Sequence, residues 1–191
     1  MCGLSYLSPL GKKYEEYAYV LDFIRRGRSV VIKGREGPLV QALGEERLTL
    51  LEILAVEGAS FELGERIYIG KEGRTKVLSV LGRLNYEDLT AGAKAELPRV
   101  VEQLVLNNEK RFVALFNELQ PVTPRLHALE LIPGIGKTFM FQILEQRSRK
   151  PFVSFEDIQK RVGLREPAKL VAKRIVEELT GNCRINLIVR K

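Results

Sequence analysis

The sequence predicts an α+β fold, a small N-terminal β-barrel followed by an all-α domain. Three observations carry this. Five short runs rich in aliphatic, β-branched and aromatic residues, parted by Gly-rich charged turns, fall within residues 14–84. After Asn85 the apolar residues recur instead at three- and four-residue steps. Within the helical part stands Leu131-Ile132-Pro133-Gly134-Ile135-Gly136-Lys137-Thr138, a hydrophobic-Gly-hydrophobic-Gly turn between two apolar-periodic segments. Such a turn is the hairpin of a helix-hairpin-helix module. Five strands is the number of an OB-like barrel, and an SH3-like barrel fits the same pattern.

Residues 1–13 read as a disordered or extended N-terminus, punctuated by Ser8-Pro9-Leu10-Gly11. The OB-like domain, 14–84, draws its strands from residues 17–24, 38–44, 48–56, 66–70 and 77–84. Connecting helices occupy 85–120. Tyr86-Glu87-Asp88-Leu89-Thr90 reads as a turn or cap, and Pro98 as the first turn of a helix. From there Val101, Leu104, Val105, Phe112, Leu115, Phe116 and Leu119 form an amphipathic stripe with a break at Asn107-Asn108, ended by Pro121.

The tandem helix-hairpin-helix domain spans 121–191. Thr123-Pro124 reads as an N-cap and first-turn proline opening a short helix with Leu126, Leu129 and Leu131. The hairpin follows, then a helix over about 137–149 with Phe139, Met140, Ile143 and Leu144 inward. Ser154-Phe155-Glu156-Asp157 resembles a capping box for a third helix carrying Ile158 and Val162. Val162-Gly163-Leu164 is a reduced, single-glycine hairpin, and Pro167 opens the last helix. Residues 185–189 fit a final strand.

Charge points to a polyanion. The chain has 31 Lys/Arg and 24 Asp/Glu, a net charge of +7. From Pro121 to Lys191 there are 14 basic and 7 acidic residues, so this last third holds the whole excess. Two cysteines, Cys2 and Cys183, and a single histidine, His127, exclude a disulfide framework and a zinc site. With no signal-peptide layout and no apolar run of membrane-spanning length, the expectation is a cytoplasmic, monomeric protein with no membrane partner.

The hairpin supplies the chemistry. Glycine takes φ > 0 and admits close backbone approach. The helix that follows offers unpaired N–H groups and the positive end of its dipole to an anion. Pro133, Gly134, Ile135, Gly136, Lys137 and Thr138 are therefore candidate phosphate contacts, with Gly163 at the second hairpin. Arg147, Arg149 and Lys150 form the best basic cluster. Lys160, Arg161, Arg165, Lys169, Lys173 and Arg174 could extend it, as an ordinary solvated surface would also explain. Contacts of this kind position a protein on backbone without reading bases. Gly136-Lys137-Thr138 is no nucleotide-binding phosphate loop, since that motif needs glycine where Leu131 stands. Tyr17, Tyr19, Phe23, Phe61 and Tyr68 could stack bases on an open sheet face, though their alternation reads mostly as core, and Arg25-Arg26-Gly27-Arg28 is a basic turn that could extend a binding surface or be a solvated loop.

No catalytic or metal-ligating residue is assigned. Glu156-Asp157 and Glu87-Asp88 sit where acids favour a helix start. His127 has no evident Asp or Ser partner. The sequence thus points to sequence-independent DNA or RNA binding. Two alternatives stand beside it: a glycosylase- or nuclease-type enzyme using Glu156 and Asp157, and an adaptor with a protein partner in nucleic-acid machinery.

The chain also resembles an uncharacterised archaeal family, that of domain of unknown function 655. The resemblance lies in Glu16-Tyr17-Ala18-Tyr19-Val20-Leu21-Asp22, Thr49-Leu50-Leu51-Glu52, Tyr86-Glu87-Asp88-Leu89-Thr90, Ala93-Lys94-Ala95-Glu96-Leu97-Pro98 and Arg111-Phe112-Val113. It continues through Thr123-Pro124-Arg125-Leu126-His127, the segment from Leu129 to Lys137, and Pro151-Phe152-Val153-Ser154-Phe155-Glu156-Asp157-Ile158. The resemblance implies an OB-like domain joined to a double helix-hairpin-helix domain, and a nucleic-acid-binding role with no established reaction. The wider hairpin superfamily implies a monovalent cation held by carbonyls near Ile132 and Ile135, the one cofactor expected.

Overall fold

The computed structural model describes residues 14–189. The N-terminal segment 1–13 and Cys2 lie outside the described residues. Among the described residues the chain divides into two compact units, one of residues 14–100 with 179–182 and 189, the other of 101–178 with 183–188.

The first unit is a five-stranded antiparallel sheet curled into a half-barrel. Its strands are β1 (Tyr17–Arg28), β2 (Glu36–Gly44), β3 (Leu50–Ala55), β4 (Arg66–Tyr68) and β5 (Val77–Arg83), in the order β4-β1-β2-β3-β5. Register shifts interrupt β1 between Val20 and Asp22 and β3 between Glu52 and Ile53. Such bulges sharpen local twist and bend the sheet. One cluster of alternating residues fills the curl: Ala18 and Val20 of β1, Val40 and Ala42 of β2, Leu51 and Ile53 of β3, and Ile67 of β4. Phe23 and Phe61 pack on it with ring centroids 5.0 Å apart. Tyr19 is fully buried, while Tyr17 lies under the Arg66 guanidinium, 3.5 Å away.

A long helix, α1 (Ala91–Asn107), follows. It begins seven residues ahead of Pro98, which sits inside it rather than in its first turn. The true N-cap is Thr90: its Oγ1 accepts the Ala93 N–H at 3.0 Å and donates to Asp22 at 2.5 Å. Buried Gln41 completes the joint, accepting the Thr90 N–H at 2.8 Å and donating to the Asp88 carbonyl at 3.1 Å. The break at Asn107-Asn108 is present; α2 (Glu109–Glu118) starts after Asn108.

The second unit departs from the sequence reading at both of its ends. No α-helix leads directly into the glycine bend. Instead β6 (Pro121–Thr123) and β7 (Leu126–His127) form a two-stranded hairpin around Pro124-Arg125, and a 3-10 turn spans Ala128–Leu131. Leucines at 126, 129 and 131 mimic helical spacing, but the backbone is extended at His127 (φ −87°, ψ 141°), which caps a 3-10 turn beginning only at Ala128. After the bend come α3 (Lys137–Arg149), α4 (Phe155–Val162) and α5 (Pro167–Leu179). Asn117 joins α2 to the segment after α3, donating to the Phe152 carbonyl at 2.9 Å and accepting its N–H at 2.8 Å.

Residues 185–189 are not a strand. The buried Glu178 carboxylate accepts the N–H groups of Leu187 at 2.7 Å and Ile188 at 3.0 Å, so the segment pairs with a side chain instead of a neighbouring strand. Arg174 closes the arrangement, donating to Glu178 at 2.9 Å and to the Ile185 carbonyl at 2.6 Å.

Candidate nucleic-acid interface

The glycine bend is built from both sides. His127 caps the 3-10 turn, its Nδ1 accepting the Leu129 N–H at 3.1 Å, and Glu130 reaches back to the His127 N–H at 2.9 Å. Ile132 and Ile135 are buried and anchor the bend. The Ile135 N–H donates to the Ile132 carbonyl at 3.0 Å and closes it. Between them Gly134 takes φ +88°, and a Cβ there would lie 3.2 Å from Leu170 Cδ2 of α5. The positive φ favours glycine here, and Leu170 would have to give by a few tenths of an ångström to admit a Cβ. Gly136 differs. It is the extended N-cap of α3, with φ −87° and ψ −177°. A Cβ there would meet nothing within 4 Å.

Gly134, Gly136, Lys137 and Thr138 are all exposed. Because Gly136 has no side chain, nothing at the N-cap accepts the first N–H groups of α3. Those amides and the helix dipole present positive potential to solvent. The nearest acid before the bend, Glu130, is occupied by His127. The first acid on α3 is Glu145, roughly 12 Å along the axis from Lys137. Lys137 forms no ion pair among the described residues.

The Gly163 bend repeats part of this backbone plan but has an acid at the start of its helix. Gly163 takes φ +76° and is followed by buried Leu164, as Gly134 is by Ile135. Here, however, Glu166 precedes α5 and pairs with Lys169 at 3.5 Å. Its negative charge stands where the first hairpin leaves open amides. A cavity of about 380 Å³ beside it is lined by Glu102, Glu156 and Glu166 along with Lys160 and Lys169, and by no residue of the first bend.

The other basic candidates are dispersed. Arg147, Arg149 and Lys150 lie at the far end of α3, roughly 18 Å from Lys137. The Arg147 guanidinium donates to the Phe116 and Leu119 carbonyls at 3.1 and 2.9 Å and closes the end of α2; burial lowers its pKa. Arg161 does the same for α3, donating to Gln146 and Lys150 carbonyls. Arg149 pairs with Glu145 and Lys160 with Glu156. Among the described residues Lys137, Arg147, Lys150, Arg165 and Lys173 are the cations of this unit's candidate set outside any ion pair, and Arg147 is taken up by the α2 carbonyls.

The proposed carboxylates are engaged elsewhere. Asp157 accepts the Val153 N–H at 3.2 Å and pairs with Arg161 at 3.1 Å. Of the two carbonyls implied for a cation, that of Ile132 already accepts the Ile135 N–H and retains one lone pair. The described residues hold no cluster of His, Cys, Asp and Glu suited to a metal. One exposed residue escaped the sequence reading: Phe141, 64% exposed, one turn beyond Lys137. The available signal was its place off the Met140-Ile143-Leu144 stripe.

The model for the protein of unknown function family DUF655 matches residues 14–190. The chain belongs to this family. It is similar to the uncharacterized protein MJ0038 of Methanocaldococcus jannaschii, 44% identical over 171 residues, which cover 90% of this chain and 77% of that one. It is also similar to the crystal structure of Af1531 from Archaeoglobus fulgidus, a DUF655 protein. The TM-score is 0.82 with 42% identity, covering 92% of this chain and all of the other. Both relatives are archaeal, and neither name carries a reaction or ligand. No helix among the described residues is long and apolar enough to cross a membrane.

Proposed function

We propose that this protein binds DNA or RNA backbone without sequence preference, through the N-terminus of α3 at the Gly134–Gly136 bend. The observation that supports this most is the exposed bend itself. It leads into a helix whose first amides have no side-chain cap, beside unpaired Lys137 and with no acid in the first two turns. In this reading the half-barrel is an OB-like module and the helical unit a double helix-hairpin-helix. The two hairpins are unequal, the first gripping phosphate and the second serving mainly to pack Leu170 against Gly134.

The test is a fluorescence-anisotropy salt series on single- and double-stranded DNA and RNA of one length. Neutralising about four phosphates of a duplex gives a slope of log K against log salt of about −3 to −4. Non-specific Kd should fall around 10⁻⁴ to 10⁻⁶ M at physiological salt. Absent binding at low salt, or binding indifferent to salt, refutes the reading. Incubating the same oligonucleotides with and without magnesium tests the enzyme alternative. Strand cleavage or base release would favour it.

A further inference from the structure

The turn between β1 and β2 presents apolar side chains to solvent within a strongly basic setting. Val30 is 61% exposed and Ile32 43%. The same stretch of chain carries Arg25, Arg26, Arg28, Lys33 and Arg35, with Glu36 the one acid of residues 25–36. Arg28 pairs with Glu36 at 2.7 Å. Arg25, Arg26, Lys33 and Arg35 form no ion pair among the described residues.

This tip is ordered. β1 and β2 pair as far as Arg28 and Glu36, beyond the last β2–β3 pair at Leu39 and Leu54, and their turn folds back onto β3 and β5. There the Glu52 carboxylate, 2% exposed, accepts from the Ser29 hydroxyl and from the Val30 N–H at 3.2 Å. Ser29 Oγ in turn accepts the N–H groups of Val31 at 3.1 Å and Ile32 at 2.8 Å. Val31 seats on β5 where Gly82 lacks a side chain; a Cβ there would lie 2.7 Å from Val31 Cγ1. A buried carboxylate is thus committed to fixing a turn whose two outer side chains remain in water. A buried carboxyl group needs hydrogen bonds to offset its desolvation, and exposed aliphatic residues gain nothing from being held. A ligand that covers them explains both.

We infer that the β1–β2 tip is a second nucleic-acid contact, in which Val30 and Ile32 wedge against an unstacked base step while the surrounding arginines hold the flanking phosphates. Apolar wedges flanked by basic residues are how proteins pry apart and kink base steps. The free cations are mostly arginine, whose planar fork matches phosphate oxygens. The preferred ligand is nucleic acid with a bulge or other readily unstacked step, over continuous duplex. The inference deepens the nucleic-acid reading and rests on it for the ligand class. It depends on residues remote in sequence from the glycine bend.

The test compares a DNA duplex carrying a single 2-aminopurine bulge with its fully paired counterpart. Wild type, Val30→Ser with Ile32→Ser, and Gly136→Asp are each titrated at several salt concentrations. Loss of the wedge should weaken bulge binding roughly tenfold with an unchanged salt slope, and leave the paired duplex within about twofold. Bulge fluorescence should change with wild type and not with the serine variant. A triple Arg25→Gln, Arg26→Gln, Arg35→Gln variant should instead flatten the salt slope by up to about 3. Melting curves establish that the variants remain folded. Equal bulge binding by wild type and a folded serine variant overturns the wedge; if Gly136→Asp still loses affinity, the bend reading survives. A reversed pattern keeps the wedge and removes the bend. Vesicles of phosphatidylserine and phosphatidylcholine supply the last arm. Sedimentation with them, absent any oligonucleotide binding, assigns the tip to a lipid surface and overturns both.

Discussion

Gly136→Asp puts a carboxylate at the N-cap of α3, where the backbone is extended at φ −87° and a side chain meets nothing within 4 Å. The stability effect can be worked from that geometry. Aspartate outranks glycine at an N-cap by a few tenths of a kcal/mol, and its charge gains about 0.3–1 kcal/mol from the dipole. With about 2–4 °C per kcal/mol for a chain of this size, Tm should stay level or rise by a few degrees. Binding should move the opposite way. The new carboxylate takes the amides that a phosphate would use and opposes it electrostatically. Two like charges about 4 Å apart cost about 1 kcal/mol in water and about 4 kcal/mol at an effective dielectric of 20. Affinity should therefore fall by at least about fivefold, with the salt slope flatter by about 0.9. Gly136→Asn, which caps without charge, should lose less. Anisotropy titration and scanning fluorimetry measure the two quantities side by side. A stable Gly136→Asp protein that binds oligonucleotide as tightly as wild type would refute the assignment of the α3 amides.

The two bend glycines should respond differently to valine: Gly134→Val destabilises by about 1–3 kcal/mol, because φ is +88° and Leu170 lies 3.2 Å away, and Gly136→Val by well under 1 kcal/mol. Urea unfolding checks the contrast, and equal losses would contradict it. Glu178→Ala leaves the buried Arg174 guanidinium with only the looser Glu177 carboxylate, 3.9 Å away, and removes the acceptor for Leu187 and Ile188, so a loss of about 3 kcal/mol is expected in thermal melts. A change below about 1 kcal/mol would show the pair to be dispensable. Burial, then the nearby Arg147 charge, holds His127 below its ordinary pKa of 6.5, so the unfolded chain takes up the proton first. Stability is then fully present above that pH and declines as pH falls below it. His127→Asn, able to accept the Leu129 N–H without titrating, should flatten this decline in pH-dependent melts; an unaltered profile would assign it to other groups.

What the sequence made legible is local. All five strands of the half-barrel were readable because their side chains alternate or run apolar between glycine-rich turns. The bend was readable because a positive φ is written into the chain as glycine. The start of α1 was not, since Thr90 becomes a cap through Asp22 and Gln41, residues of β1 and β2 far away in sequence. Leu126, Leu129 and Leu131 carry a helical spacing that the β6–β7 hairpin overrides. At the candidate site, the unequal roles of Gly134 and Gly136 depend on Leu170, which only the fold brings near. The basic cluster at 147–150 read as one feature, yet Arg147 turns inward to carbonyls of α2. A charge count does not distinguish a guanidinium that closes a helix from one that meets a ligand.

The contact between Glu178 and residues 185–188 has a consequence for biosynthesis. The half-barrel strands are complete in the chain by Arg83, so the sheet can assemble while later residues are still being made. The helical unit is under a different schedule. Until Ile185, Leu187 and Ile188 leave the ribosome, its carboxylate and guanidinium have no backbone to receive them. A chain cut before residue 185 should therefore keep the sheet but hold the helical unit weakly, since Glu178 and Arg174 lose these backbone partners.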